Sequence, residues 1–136
     1  MTDRTSTIAK RIDCIYLPAA NTEESANWYI EHLDLKLLRP VHENQAQLGI
    51  SQEQTIFLIK SKEPGNANYT EINGSEQCIL TMEVADLEEL HSKMKRAGAH
   101  VTDIEDNGGC GCNFYAFDPA GNKLDLWSGW PTDPAG

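Results

Sequence analysis

Asp125 is the residue in this chain whose type and position best suit chemistry. It lies in the run Lys123-Leu124-Asp125-Leu126-Trp127. Successive side chains of a β-strand point to opposite faces, so Leu124 and Leu126 would share one face and Asp125 would share the other with Trp127. A carboxylate in that position could bind a metal ion, act as a general base or bind a ligand. An exposed Asp on a half-buried strand has the same spacing, so spacing alone leaves both interpretations open.

The four cysteines are the other candidates for metal or redox chemistry. They are Cys14, Cys78, Cys110 and Cys112. Cys110-Gly111-Cys112 is one residue shorter than the usual Cys-x-x-Cys pair, and no second pair or histidine cluster follows it. We therefore expect free thiols, with the pair in a structural role. Cys14 could be a soft metal ligand, although a buried structural thiol is the better interpretation.

A hairpin is predicted to position Asp125. Two strands, residues 112–117 and 123–127, flank the sequence Asp118-Pro119-Ala120-Gly121-Asn122. Proline suits the first central position of a tight turn, and glycine can adopt the positive φ that closes it.

The rest of the chain repeats one order of elements, β-α-β-β-β, twice. In the first half we predict strands at residues 12–18, 36–41, 46–50 and 55–60, with a helix capped by Asn21 and ending near Asp34. The last of these strands has four consecutive apolar residues, 56–59, which indicates burial on both faces. In the second half we predict strands at 77–84, 100–105, 112–117 and 123–127, with a helix capped by Asp86 and ending at Gly98. The two caps are 65 residues apart, and agreement of caps, helix lengths and strand order favours an internal repeat.

The hairpin and the repeat together resemble the vicinal oxygen chelate superfamily, which includes glyoxalase I, bleomycin resistance proteins and extradiol dioxygenases. In that family a strand ending in Phe or Tyr precedes Asp-Pro-x-Gly-Asn, and the next strand carries a metal-binding Glu. The resemblance implies an α+β fold in which two βαβββ modules form a cup-shaped, eight-stranded mixed sheet with the helices outside. Residues 1–136 would form a single domain, with module 1 at about 11–61, a linker at 62–76, module 2 at about 77–128 and a tail at 129–136.

The resemblance also assigns faces to the strands. One set of side chains would lie beneath the helices: Ile15, Leu17, Leu80, Met82, Leu124 and Leu126. The other set would line the cup: Cys14, Tyr16, Ile79, Thr81, Asp125 and Trp127.

The metal-binding positions of the family are mostly changed in this chain. They fall on Cys14, on Ile79, on one of residues 56–60 and on Asp125; only Asp125 keeps a carboxylate, and isoleucine cannot coordinate. A one-residue slip would offer Cys78 instead of Ile79, but would turn Leu80 and Met82 away from the helix. We therefore favour no metal cofactor. Zn, Ni, Mn or Fe held by Cys14 and Asp125 is the alternative.

Three functions follow from these expectations. The favoured one is binding of a small organic molecule in the cup, whose lining would comprise Cys14, Tyr16, Trp28, Ile79, Thr81, Tyr115, Phe117 and Trp127. The first alternative is a divalent-metal-dependent lyase, thiol transferase or dioxygenase using Cys14 and Asp125. The second is a metal-free acid/base enzyme that uses Asp125 as its catalytic residue.

Charge and composition restrict the partners. Lys and Arg number 11 against 21 Asp and Glu, a net charge of −10, without a basic patch. Nucleic acid and anionic membranes are therefore not expected partners. No apolar run is long enough to span a bilayer, and we expect a cytoplasmic protein. The resemblance implies a homodimer with two cups.

Overall fold

Two copies of one supersecondary unit make up the computed structural model, which describes residues 5–51 and 53–131. The first module contains β1 (Cys14–Ala19), α1 (Thr22–Leu33), β2 (Lys36–Leu37), β3 (Gln45–Ser51) and β4 (Gln54–Lys60). A small hairpin of β5 (Tyr69–Thr70) and β6 (Glu76–Gln77) lies in the predicted linker. The second module contains β7 (Thr81–Glu83), α2 (Leu87–Arg96), β8 (His100–Val101), β9 (Glu105–Asp106), β10 (Cys112–Phe117) and β11 (Lys123–Trp127). Residues 132–136 of the predicted tail lie outside the described part.

Each module forms one mixed sheet with the same strand order. The first sheet runs β1-β4-β3-β2, and the second runs β7-β11-β10-β8 with β9 also paired to β10. In both, the first strand lies parallel to the last, and the helix follows the first strand. α1 packs on β3 and β4, and α2 packs on β10. The predicted α+β fold with two βαβββ modules is confirmed.

The helix ends agree with the sequence at three of four positions. The Asn21 side chain accepts a hydrogen bond from the Glu24 amide at 2.9 Å, and Asp34 adopts the left-handed conformation that ends α1. Gly98 follows α2 with φ +82°. Asp86 also precedes α2, but the predicted side-chain cap is wrong: φ of +48° replaces the extended backbone of a capping residue, and its carboxylate makes no capping bond.

Three strand predictions need correction. The predicted strand 77–84 is divided, because Gln77 belongs to β6 and β7 covers only Thr81–Glu83; the predicted strand 36–41 is reduced to Lys36–Leu37. The predicted strand 100–105 is divided into β8 and β9. Thr102 explains the division, because its hydroxyl accepts the Tyr115 amide at 2.9 Å while its own carbonyl lies 2.8 Å from His91 Nε2. A side chain thus replaces a backbone group of the ladder.

The buried face of both sheets forms one core. Leu17, Leu124 and Leu126 are fully buried as expected, and Leu80 and Met82 are nearly so; Ile15 is half-buried. The expectation that 56–59 is buried on both faces is wrong. Ile56 and Leu58 are buried, whereas the side chains at 57 and 59 are partly exposed on the other face.

A buried carboxylate in the β10–β11 turn connects the turn to α1. Asp118 Oδ1 accepts the amides of Ala120 and Asn122 at 2.9 and 3.0 Å. Its Oδ2 accepts the Tyr29 hydroxyl at 2.6 Å and the Asn122 side-chain amide at 2.8 Å. Burial and the Asp118 carboxylate raise the pKa of Tyr29 well above its ordinary value, so Tyr29 stays a neutral donor.

Asn122 extends this network to two further segments. Its Nδ2 also donates to the carbonyl of Pro18 at the end of β1, at 3.0 Å. Its Oδ1 accepts the Ala67 amide of the linker at 2.8 Å. Asp118 and Asn122 therefore hold the second module's turn against the first module and the linker.

Asp118→Ala should lower the free energy of unfolding by about 3 kcal/mol, because it leaves several buried donors without an acceptor. Tyr29→Phe removes one hydrogen bond and should cost about 1 kcal/mol. Urea unfolding measures both, with the exposed Glu31→Ala on the same helix expected to stay within about 0.5 kcal/mol of wild type. Equal stability of Asp118→Ala and Glu31→Ala would show that the network does not hold the modules together.

Candidate functional site

The accessible face of the second sheet presents Asp125 at its centre. On β11, Asp125 lies opposite Tyr115 of β10 and opposite Thr81 of β7. Its Oδ2 accepts the Thr81 hydroxyl at 2.8 Å, and its Oδ1 accepts the Asn113 side-chain amide at 2.8 Å. The predicted site carboxylate therefore lies on the predicted face of the strand, and these two hydrogen bonds fix its orientation.

Asn113 is a site residue that the sequence analysis missed. It is 6% exposed, and its Oδ1 accepts the Asn107 side-chain amide at 2.7 Å. This second bond leaves the Asn113 amide group directed at Asp125. The available signal was strand alternation, because Asn113 and Tyr115 share a face of β10 while Phe114 lies in the core.

Two indole rings form one wall beside Asp125. Trp127 Nε1 donates to the Cys110 carbonyl at 2.7 Å, and Trp130 meets the Trp127 ring edge-to-face with centroids 5.2 Å apart. Gly111 makes this arrangement possible: it has φ +83°, and a Cβ there would lie 2.9 Å from Trp127 Nε1 and 2.5 Å from the Gly129 carbonyl oxygen. Trp130 remains 70% exposed, so much of its surface is available to a ligand.

The resulting pocket has a volume of about 370 Å³. Its lining comprises Thr81, Glu105, Asn107, Cys110, Asn113, Tyr115, Asp125, Trp127 and Trp130. We call it the Asp125 pocket. Burial and the Asp125 charge raise the pKa of Tyr115, so its phenol is neutral at physiological pH.

The charge of Asp125 also acts on Cys78. Burial and then the Asp125 carboxylate raise the pKa of the Cys78 thiol. Residues 78–80 precede β7, and Leu80 and Met82 are buried. Ile79, predicted to line the cup, is 45% exposed.

A second pocket of about 540 Å³ lies where the two modules meet. Its lining comprises Ile12, Asp13, Cys14, Ile15, Ile50, Gln54, Thr55, Ile56, Leu80, Thr81, Met82, Glu83 and Trp127. We call it the junction pocket. It shares Thr81 and Trp127 with the Asp125 pocket, so the two adjoin. Cys14 therefore lines a different pocket from Asp125.

The remaining predicted lining residues lie elsewhere. Tyr16 is 63% exposed and stacks on Phe57, with centroids 5.4 Å apart. Phe117 stacks on His100 at 4.3 Å, one residue pair beyond Tyr115 on the same face. Trp28 lies on α1 and packs edge-to-face on Tyr29, as part of the helix layer. Sequence could not separate an aromatic residue of the helix from one of the cup.

The donors at the family's metal positions do not fit a metal held by this chain. Within the described residues, no group of three or more His, Cys, Asp or Glu side chains converges. Both oxygens of Asp125 already accept hydrogen bonds, and Ile79 has no donor atom. A protein-bound zinc normally has three or four such ligands.

Neither described helix is long and apolar enough to cross a membrane.

Comparison with known proteins gives a family model and a set of similar structures. The model of the Glyoxalase/Bleomycin resistance protein/Dioxygenase superfamily matches residues 11–126. A lactoylglutathione lyase from Agrobacterium tumefaciens superposes with a TM-score of 0.67 at 15% identity, covering 89% of this chain and 95% of that one. An antibiotic-binding protein from Streptomyces sp. CB03234, TnmS3, superposes with a TM-score of 0.67 at 16% identity, covering 90% and 98%. A glyoxalase family protein from Enterococcus faecalis is 24% identical, with a TM-score of 0.65 and coverage of 87% and 97%. No curated protein matches significantly.

Asp125→Asn should move formation of the Cys78 thiolate to lower pH, because it removes a negative charge that raises the pKa of this thiol. Alkylation of each cysteine, followed by mass spectrometry across a pH series, measures this directly. Cys110 and Cys112 serve as internal references, and Glu31→Gln controls for the change in net charge. An unchanged Cys78 profile in Asp125→Asn would show that the two side chains are not neighbours.

Proposed function

Because the chain belongs to the Glyoxalase/Bleomycin resistance protein/Dioxygenase superfamily, we propose that it binds a small organic molecule in the Asp125 pocket and the adjoining junction pocket, without a three-ligand metal site. The observation that carries this proposal is the orientation of Asp125. Its carboxylate is held by Thr81 and Asn113 beside two indole rings, in a pocket of about 370 Å³. Positioned polar groups beside aromatic side chains are typical of ligand sites.

Each part of the site has a role in binding. Thr81 and Asn113 position the carboxylate before the ligand arrives, which lowers the cost of ordering it. Trp127 and Trp130 offer large apolar surfaces with few rotatable bonds, and Trp127 is already fixed by its bond to the Cys110 carbonyl. The junction pocket supplies aliphatic walls for the remainder of the molecule.

The structural neighbours are compatible with a binding role. One of them is described as an antibiotic-binding protein, which supports ligand sequestration as a use of this fold. The lyase neighbour supports the fold alone, because a fold does not determine an activity. The metal-dependent alternative is not favoured, since Cys14 and Asp125 line different pockets.

We also propose that two copies of the chain associate. The accessible face of the first module is apolar, with Tyr16 63% exposed on β1 and Phe57 and Ile59 partly exposed beside it. Ile12 and Ile50 at the mouth of the junction pocket are also exposed. Exposed apolar surface of this kind is typical of an interface. A second copy that covers this face would also enclose the ligand.

A thermal-shift screen of small aromatic and drug-like molecules should find ligands that raise the melting temperature, equally with and without EDTA. A ligand at about 100 times its Kd stabilises the folded state by about 2.7 kcal/mol. Trp130→Ala should reduce this effect, because it removes an exposed wall of the site. Tyr69→Ala removes an exposed aromatic side chain from the linker hairpin and should leave the effect unchanged.

Two results would contradict the binding proposal. Stabilisation that disappears with EDTA and returns with one divalent metal would favour the metal-dependent alternative. Equal ligand effects in wild type and Trp130→Ala would place the ligand outside the Asp125 pocket.

Sedimentation equilibrium should give about twice the chain mass of 15.1 kDa. Tyr16→Glu should shift the protein toward the monomer, because it would bury a charge in the apolar face. Tyr69→Glu adds the same charge elsewhere and should leave the dimer intact. A wild-type monomer at micromolar concentrations would overturn the dimer proposal.

A further inference from the structure

We propose that the ligand of this site is an organic cation, an ammonium group attached to an apolar body. This inference rests on the proposed function and goes beyond it by naming the chemical class. Its basis is the pairing of indole faces with a positioned carboxylate that forms no salt bridge within the described residues. The ammonium group would lie in the Asp125 pocket, and the apolar body would extend into the junction pocket.

The aromatic wall suits a cation. Trp127 and Trp130 meet edge-to-face at an interplanar angle of 88°, so their faces point in nearly perpendicular directions. Indole faces attract cations more strongly than those of other aromatic side chains, and perpendicular aromatic faces form the cages that bind quaternary ammonium groups. Tyr115 lies on the same sheet face and also lines the pocket.

Tyr115 already makes a cation–π contact within the protein. Lys123 Nζ lies 4.2 Å from the centroid of the Tyr115 ring, and it donates to the Glu76 carbonyl at 2.7 Å. The lysine ammonium group is therefore held against the ring and the linker. Lys123 does not line either pocket.

The charges of the site favour the same class of ligand. Asp125 accepts hydrogen bonds from two neutral donors, and no Lys, Arg or His is found among the described residues that line the two pockets. Glu105 and Glu83 add carboxylates at the pocket walls, and neither forms a salt bridge within the described residues. Within the described part of the chain, Asp13 at the junction pocket forms one ion pair, an exposed contact with Arg11 at 3.7 Å. An anionic ligand would meet like charges here.

A metal ion would not use this arrangement. A divalent cation needs several converging ligands, whereas an ammonium group needs one carboxylate and aromatic faces without fixed coordination geometry. The junction pocket has aliphatic walls that include Ile12, Ile50 and Met82. A bare ion has no apolar surface to pack against them. An organic cation would place its ammonium group in the Asp125 pocket and its apolar body in the junction pocket.

Three probes of similar size test the assignment. They are 3-hydroxyphenyltrimethylammonium, its neutral isostere 3-tert-butylphenol, and the anion 3-hydroxybenzoate. NMR titration follows the indole N–H signals of Trp127 and Trp130, with Trp28 on α1 as the internal reference. The cation should shift both site signals and bind about tenfold more tightly than 3-tert-butylphenol, while 3-hydroxybenzoate should bind most weakly.

Asp125→Asn removes the negative charge of the site and leaves its shape nearly unchanged. It should weaken the cation about fivefold and change the affinity for 3-tert-butylphenol by less than about twofold. Glu31→Gln makes the same change in net charge on an exposed face of α1 and should leave both affinities unchanged. Equal losses in the two variants would overturn the assigned role of Asp125.

The remaining outcomes distinguish this inference from the proposed function. If 3-tert-butylphenol or 3-hydroxybenzoate shifts the two site signals and binds as tightly as the cation, the cation assignment is wrong and ligand binding stands. If the cation leaves both signals unchanged, the assignment is also wrong. The thermal-shift screen then decides separately whether the pockets bind an organic molecule.

Discussion

The buried Asp118 carboxylate is the constraint on which the rest of the structure depends. A charge in a protein core is costly unless hydrogen bonds replace its lost hydration, and Asp118 accepts four of them. These donors belong to α1 and to the turn itself, and Asn122 adds contacts with β1 and the linker. The turn cannot shift by one residue without leaving Asp118 unsatisfied. The register between β10 and β11 is therefore fixed, which is why Asp125 faces Thr81 and Tyr115 rather than the core.

The same strand serves the core and the site. Leu124 and Leu126 are fully buried on one face of β11, and Asp125 and Trp127 lie on the other. Burial of the two leucines contributes about 2 kcal/mol each, which resists any displacement of the strand. Site geometry is thus maintained by packing on the opposite face. Thr81 and Asn113 then need only to orient the carboxylate.

Sequence reasoning succeeded where one local rule determined the result. Alternation placed Asp125 on the face opposite its leucine neighbours, and the repeat predicted the order of elements in both sheets. Sequence reasoning failed where a side chain competes with the backbone for hydrogen bonds or where the backbone conformation is irregular. The Thr102 hydroxyl replaces a ladder acceptor and divides a strand, and the left-handed backbone of Asp86 directs a capping residue away from its helix. The last strand of the predicted run 77–84 begins at Thr81, a boundary that periodicity does not mark.

The two modules of the repeat differ in chemistry at equivalent positions. The offset of 65 residues that relates the caps also relates Tyr16 to Thr81. In the first module Tyr16 lies opposite Phe57, and in the second Thr81 lies opposite Asp125. An aromatic stack thus occupies one half of the repeat where a hydrogen-bonded carboxylate occupies the other.

A metal site that takes ligands from both modules requires donors at both of these places, and the first module offers carbon at Phe57. The asymmetry instead suits a ligand that is itself asymmetric. One end of such a molecule needs a carboxylate beside indole faces, and the remainder needs apolar surface. Asp125 supplies a carboxylate in the second module, whereas Ile79 in the same module and Phe57 in the first supply no donor atom. The fold is preserved throughout, because the core faces of both sheets are unaffected by what lies on the accessible face.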